Sequence, residues 1–310
     1  MLEVDVIIPV YKPTKKLLAL LDSLMQQTLA VQRIILINTE KQYFDWFIQG
    51  MDFQERYKKV TLYHIKKEEF DHGGTRNFGV SLSKAPYFIM MTDDAVPGDE
   101  QLVEHLMSHF VNPKVGMAYA RQLPDKECGF LECYARSFNY PETSCMKSAK
   151  NLKNMGIKAF FASNVCAAYR RDIFEELGGF TGHTIFNEDM IYARGLIDAG
   201  YLIAYEADAR VEHSHNYSGL DQFHRYFDLG VSHAQYPKIF SGVATESEGA
   251  RMVKRACPYL LKTGKPWLII KLFWQSGCKY TGYFLGKRYK RLPESLVKAF
   301  SMNKEYWRIK

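Results

Sequence analysis

A chain of 310 residues can bury one large core, or a core with an appendage, and 24% charged with 47% hydrophobic residues excludes a disordered or fibrous protein. The six cysteines form no C-x-x-C pair and no zinc spacing, and the opening run "MLEVDVIIPVYKP" carries acids and a proline that make a poor signal peptide; a reducing, cytoplasmic setting with free thiols is expected. The net charge of +7 conceals a division, because residues 251–310 sum to +13 and the remainder to −6. A basic tail on a mildly acidic body implies two functional zones.

Val4–Val10 is a short apolar, β-branched run suited to a strand buried on both faces. Pro13 and Thr14 open a stretch with Leu17, Leu18, Leu20, Leu21, Leu24 and Met25 at helical spacing, with Thr14 as N-cap. Further strands are predicted at Arg33–Asn38, Val60–Ile65, Tyr87–Met91 and Val115–Ala120, with helices at about Gly74–Lys84 and Asp99–Val111 among them. Residues 121–158 read as an insertion with a helix, and strand character returns at Phe160–Tyr169. A helix starts near Asn187 and stops at Gly200; "YLIAYE" and "ARVEHSHNYS" follow as strand segments, and from Gly219 the pattern is helical. Such alternation implies an α/β protein with a mostly parallel, doubly wound sheet. Ligands of such sheets bind beyond the carboxyl ends of the strands.

Asp93 and Asp94 stand at one of those ends. Two carboxylates there suit a hard divalent cation, which takes one or two of them together with phosphate oxygens, although the same residues also favour a turn. In "DHGGTRNFG" (Asp71–Gly79), Gly73 and Gly74 allow close backbone approach before a helix whose N-terminus attracts anions, and Arg76 can fork onto a phosphate. A glycine turn with a surface arginine is the plainer alternative. Val80 and Ser81 follow Gly79 where a Walker loop needs Lys and Ser/Thr, and no G-x-G-x-x-G follows the first strand. "NEDMIYA" sets Glu188 and Asp189 in a first helical turn, as complements of the helix dipole or with one as general base for a hydroxyl. His213 and His215, two apart at a strand end, share a face, where neutral imidazoles can complete a metal site, contact a diphosphate, or simply be satisfied polar groups.

In this order the segments "VDVIIPVYK", "FDHGGTRNFG", "MMTDDAVP", "SNVCAAYRRDIFEELGGF", "FNEDMIYA" and "VEHSHNYS" resemble family 2 glycosyltransferases of the GT-A fold. They are most similar to bacterial rhamnosyltransferases that build cell-wall or surface polysaccharides. The resemblance spans roughly residues 4–236. It implies a nucleotide-binding sheet merged with an acceptor half in one catalytic domain, residues 1–236, with a basic helical region at 237–310. It places the Asp-x-Asp metal motif on Thr92, Asp93 and Asp94, where Thr92 departs from the usual first aspartate; Asp94 is then the metal ligand and Asp93 a donor or metal-shell contact. It makes Asp189 the catalytic base and His213, with His215 as second candidate, the later metal or diphosphate contact. Pro9, Tyr11 and Arg76 fall on nucleotide-binding positions, together with Asp71 and Gly74 of the glycine loop. Asn38, Thr39 and Glu40 stand where an aspartate normally reads base and ribose, and Ser163 and Asn164 begin the acceptor loop. The implied cofactors are a divalent metal (Mn or Mg) and a nucleotide-sugar donor, dTDP-β-L-rhamnose. The implied reaction is a single inverting displacement.

In the tail, Lys265–Leu292 is apolar and aromatic, but Lys271 and Lys279 interrupt it, so a spanning helix of about 20 apolar residues is not expected. Aromatics flanked by Lys and Arg suit a helix on an anionic membrane surface. The bland alternative is docking on the catalytic domain or pairing with another subunit as a homo-oligomer. Nucleic acid is not expected, for no binding motif accompanies the charge. The expected partners are the nucleotide-sugar donor, a lipid-linked glycan acceptor and the inner face of the cytoplasmic membrane. Three rival readings stand beside this one. A sugar nucleotidyltransferase would need a glycine-rich phosphate loop that "PVYKPTKK" lacks, and a glycosyltransferase with a UDP-sugar donor would keep the same mechanism. A non-catalytic nucleotide-sugar-binding subunit of a membrane synthase has only Thr92 in its favour.

Overall fold

The computed structural model describes residues 3–241 and 246–308. In chain order the elements are β1 (Val4–Tyr11), α1 (Lys15–Met25), β2 (Ile34–Thr39), α2 (Lys41–Phe47), α3 (Phe53–Arg56), β3 (Val60–Ile65), α4 (His72–Leu82), β4 (Tyr87–Met91), β5 (Val96–Pro97) and α5 (Leu102–Ser108). Then come β6 (Val115–Leu123), α6 (Phe130–Asn139), β7 (Cys145–Lys147), α7 (Leu152–Met155), β8 (Cys166–Arg170), α8 (Arg171–Glu176), α9 (Glu188–Asp198) and β9 (Leu202–Glu212). The chain closes with α10 (Gly219–Gln235), α11 (Pro237–Phe240), α12 (Glu246–Lys262), α13 (Leu268–Gly286) and α14 (Glu294–Phe300).

The strands form one sheet in the order β3-β2-β1-β4-β8-β6-β9-β5, with β7 on β9. From β3 to β4 all pairings are parallel, as the strand–helix alternation predicts. Beyond β4 the sheet is mixed: β8 runs antiparallel to both β4 and β6, while β6 and β9 are parallel. Six strands therefore point their carboxyl ends toward one edge, and β8 brings its amino end there.

Side chains alternate across β1, so Val4, Val6, Ile8 and Val10 join the layer of α1 and α5, while Ile7 joins that of α4, α8 and α9. Thr14 caps α1, accepting from the Lys16 N–H as its sequence position predicts. Gly200, at φ 91°, ends α9 in a conformation that glycine adopts without strain.

Three expectations change. Phe160–Tyr169 is strand only from Cys166, and just before it Asn164 gives its backbone N–H and its side-chain amide to the carboxylates of α9 instead of a ladder. The two segments expected after Gly200 are one continuous strand, β9, kinked by an irregularity opposite Ala120 and Arg121. The helix expected at Asp99–Val111 is α5 followed by a 3₁₀ turn at His109–Val111.

Of the C-terminal helices α11, α13 and α14 pack on α10, and α12 packs on α13 and α6. Gly282 and Gly286 of α13 press against the carbonyls of Phe223 and Phe227, and Gly230 of α10 presses against that of Tyr283, so side chains at these points would hold the helices apart. Gly277, on the same helix, has nothing within 4 Å of an added Cβ. We expect Gly286→Val to lower unfolding stability by about 2–3 kcal/mol, and Gly277→Ala to raise it by about 0.5–1 kcal/mol, each read from the denaturant midpoint.

Candidate active site

The common edge of the sheet gathers the polar strand ends. β4 runs out into Thr92, Asp93 and Asp94, and β9 into His213 and His215. Asp94 Oδ1 lies 3.5 Å from His213 Nε2, and its Oδ2 lies 3.5 Å from His215 Nε2. One ligand atom from each of the three residues falls within 4.8 Å of the others. The two rings meet edge to face, with centroids 4.7 Å apart.

The protonation pattern tests whether a cation fits. The carbonyl oxygen of Gln122 accepts from the Arg136 guanidinium and sits 3.1 Å from His213 Nδ1. The Gln122 oxygen stands nearer to Nδ1 than the Arg136 Nη1 donor, which is 3.5 Å away, and an acceptor there places the proton on Nδ1 and leaves a lone pair on Nε2. Burial holds the His213 imidazole down to about 3, against the opposing pull of Asp94, so the ring is neutral. Nε2 and the Asp94 carboxylate then face each other as two acceptors with no proton between them. A divalent cation resolves that conflict, and nitrogen with carboxylate oxygen is a donor set that Mn²⁺ accepts. His215, lowered by burial first, offers a second neutral imidazole. Asp93 takes a different part: its Oδ2 accepts weakly from the Tyr11 N–H at 3.4 Å, tying the ends of β1 and β4. Burial first and then the Asp94 charge push its carboxyl up to about 7. The Thr92 hydroxyl is buried without a partner.

From Gln122 the hydrogen bonds continue inward. Its Nε2 donates to Ser163 Oγ at 3.0 Å. The next residue, Asn164, donates its N–H to Asp189 Oδ2 at 3.1 Å and its side-chain amide to Glu188 Oε1 at 3.1 Å. The Tyr169 hydroxyl donates to Asn164 Oδ1 at 2.6 Å and so fixes which way that amide faces. Glu188 also pairs with Arg76 at 3.3 Å inside the protein, and despite its burial the charges of Arg76 and His72 keep its carboxyl below the usual range. Among the described residues no cation pairs with Asp189. Burial first and the Glu188 charge second push its carboxyl up to about 7.

A cleft of about 510 Å³ opens beside these groups, a size typical of small-ligand sites. Tyr11, Thr39, Lys67, His72, Arg225 and Asp228 are among its walls. Tyr11 is exposed and packs edge-on to Tyr43. Pro9 lies in β1, opposite Ile37. Glu40, at φ 66°, accepts from the Lys67 N–H at 2.7 Å and braces the rim.

Several nucleotide-binding expectations are revised here. Asn38 is fully buried against His64 Nδ1 at 3.0 Å and has no surface to offer a nucleotide. Arg76 is buried, with its guanidinium on the His72 carbonyl and Glu188, so it is no open phosphate fork. The start of α4 is no anion site either. The Asp71 carboxylate already accepts from the N–H groups of Gly74 and His183, and Gly73 is pressed onto the Thr181 carbonyl. The glycines serve the protein's own close packing.

The sequence pattern of Glycosyl transferase family 2 matches residues 5–178. The chain belongs to that family. It is similar to the O-antigen chain rhamnosyltransferase RfbN of Salmonella typhimurium strain LT2, 39% identical over 310 residues that cover 99% of this chain and 96% of the relative. It is also similar to the O-antigen chain rhamnosyltransferase WbaN of Salmonella anatum, 44% identical over 78% of each chain. Among solved structures, the mannosyltransferase PcManGT from Pyrobaculum calidifontis, in complex with GDP-Man and Mn²⁺, shares the fold at a TM-score of 0.57 and 13% identity, covering 98% of this chain and 84% of its own. A fragment of S. aureus TarS in complex with UDP-GlcNAc does so at 0.53 and 15%, covering 98% and 85%.

The glycosyltransferase site contains groups that sequence reasoning missed. Gln122 and Arg136 orient His213; a polar pair, Arg121-Gln122, at the end of an apolar strand was a readable signal for the first. Arg225 and the segment Met302–Glu305 had none, since only the fold carries them to the cleft. Arg225 lies over the Phe186 ring at 4.7 Å, and among the described residues no carboxylate pairs with it. Burial leads in lowering His72, His213 and His215, and the Arg225 charge contributes to all three, which places it between cleft and triad. The C-terminal segment is latched over the cleft by Glu305 on Lys67 at 3.0 Å and by Asp228 Oδ2 accepting from Met302 and Asn303 N–H, both at 2.9 Å.

Electron paramagnetic resonance of added Mn²⁺ checks the triad. We expect Asp94→Asn to abolish the bound signal, and Gln122→Met, which frees the His213 ring, to weaken binding about 10- to 100-fold. Equal affinity in Asp94→Asn would contradict the triad.

Proposed function

We propose that this glycosyltransferase moves L-rhamnose from dTDP-β-L-rhamnose to a hydroxyl of a lipid-linked glycan acceptor, in surface-polysaccharide synthesis at the inner face of the cytoplasmic membrane. The observation that carries the chemistry is the wiring of a cation-ready triad to an ionisable carboxyl, Asp189, at one sheet edge. The choice of sugar is supported by the two relatives, at 39% and 44% identity, whose names are O-antigen chain rhamnosyltransferases.

In this reading Asp94, His213 and His215 would hold the divalent ion, Mn²⁺ or Mg²⁺. When bound it supplies charge stabilisation at the donor diphosphate. Tyr11 and Thr39 flank the nucleotide in the cleft, and Arg225 offers positive charge to the leaving phosphates. The acceptor hydroxyl loses its proton to Asp189 and its oxygen attacks the anomeric carbon from the face opposite the diphosphate. The bond from that carbon to the phosphate oxygen breaks, dTDP departs, and the β-linked donor yields an α-rhamnoside. Glu188, neutralised by Arg76, is the positioning neighbour that raises the Asp189 carboxyl.

The sign of the pH dependence follows. A base must be ionised to accept a proton, and Asp189 sheds its own only near 7. Below that value kcat/KM therefore rises about tenfold per pH unit, and above it levels off. Glu188→Gln removes a like charge and leaves Arg76 uncompensated, so both changes lower the Asp189 carboxyl and move the limb to lower pH. An unmoved limb would remove Asp189 as the titrating base.

Mass spectrometry of a lipid-linked acceptor incubated with dTDP-β-L-rhamnose and Mn²⁺ tests the function itself. Gain of one deoxyhexose is expected, with loss of about 10²- to 10⁴-fold in Asp189→Asn at undiminished donor binding. Transfer from UDP-sugars alone would keep the mechanism and refute the rhamnose assignment.

A further inference from the structure

α13 has two unlike sides. Leu272, Gly282, Tyr283 and Gly286 are buried, with both glycines against α10. Lys271, Gln275 and Lys279 line a cavity together with His215 of the triad. The opposite side carries Trp267, Ile270, Phe273, Trp274, Tyr280 and Phe284, all exposed; Ile270 is 78% exposed and Trp267 and Trp274 each 63%. At 100° per residue these six fall within an arc of about 140°, and the residues that share it up to Phe284, Gly277 and Thr281, are uncharged. Large aromatic side chains are left in water along a helix whose other side is packed on α10. Scattered exposed apolar groups need no explanation, but a continuous stripe marks an interaction surface.

The surrounding charge identifies the occupant. No acidic residue lies between Glu248 and Glu294, whereas eleven lysines and arginines do. Lys262 and Lys265 precede the helix, and Lys287, Arg288, Lys290 and Arg291 follow its end. The stripe is thus bracketed by positive charge. A second copy of this chain docking through the same face would bring cationic clusters together, an arrangement that like-charge repulsion opposes. An anionic lipid surface attracts both clusters, and the tryptophans suit its headgroup level. No helix among the described residues is long and apolar enough to cross a membrane, so such a helix would lie in the plane of the interface.

We infer that α13 is a membrane seat, whose outer face beds in the surface of an anionic bilayer while its inner face holds α10 and lines the cavity at His215. This extends the reading above, because a lipid-linked acceptor held in the same bilayer would be presented beside the triad. It rests on surface chemistry that can be tested without turnover.

The test is flotation of the full chain with vesicles of phosphatidylcholine alone and of equal parts phosphatidylcholine and phosphatidylglycerol. The expected result is binding to the anionic vesicles that high salt weakens, with little binding to the neutral ones. Ile270→Glu combined with Phe273→Glu should reduce that binding about tenfold or more, while dTDP affinity, measured by calorimetry, stays unchanged and certifies the fold. Lys290→Glu with Arg291→Glu should weaken it as well. Wild-type protein that stays with neither vesicle, or an Ile270→Glu, Phe273→Glu variant that floats like wild type, would overturn the inference. So would a wild-type dimer that the apolar variant dissolves in the absence of vesicle binding, since the occupant would then be a second copy. Failure of dTDP binding with flotation intact would instead strike at the dTDP-rhamnose donor proposed above.

Discussion

A buried chain of hydrogen bonds joins the two halves of the site, and the rest of the molecule is arranged around keeping it satisfied. It runs from His213 through Gln122 to Ser163, and from Asn164 to Asp189, Glu188 and Arg76. His213, Gln122, Asn164, Glu188 and Arg76 are buried, and Ser163 and Asp189 partly so; at the buried members an unmet donor or acceptor would cost about 1–3 kcal/mol. Directionality gives the chain its use. Gln122 can accept on its oxygen and donate from its nitrogen in one orientation, and that orientation leaves the His213 lone pair facing Asp94. Tyr169 does the same for Asn164 by donating to its oxygen, which turns the amide N–H toward Glu188. One network thus prepares both a cation site and a carboxyl of raised basicity.

The mixed sheet is what allows this wiring. β8 runs against its neighbours, so residues that precede it, Ser163 and Asn164, arrive at the edge where β4, β6 and β9 end. An all-parallel sheet would have put the start of β8 at the far side. The orphaned Thr92 hydroxyl lies in the same edge, one residue before Asp93.

Much of this was legible in the chain. Apolar runs bounded by turns revealed the parallel half; polar residues at strand ends pointed to Asp94, His213 and His215, which the fold brings together, and an acidic pair in a first helical turn made Asp189 a candidate. The glycine loop misled for a physical reason. Gly73 and Gly74 permit close approach, but nothing local says whether a phosphate or the Thr181 carbonyl does the approaching. Arg76 and Asn38 likewise carry the right chemistry and face the interior, a matter decided by Glu188 and His64 far along the chain. Arg225 and the C-terminal latch lie beyond any local signal, since α10, α13 and the segment after α14 must first be assembled over the cleft. The basic tail therefore has a double office: its last residues wall the cleft, and its longest helix shows an apolar side to the outside.

The most direct measurement of the central claim, that Asp94 and the two histidines hold a cation against a donor diphosphate, is titration calorimetry of dTDP with and without Mn²⁺. We expect dTDP binding that depends on the ion and exceeds that of UDP, and disappears when Asp94 is replaced by asparagine. Binding of equal strength without the ion, or binding indifferent to Asp94, would contradict it.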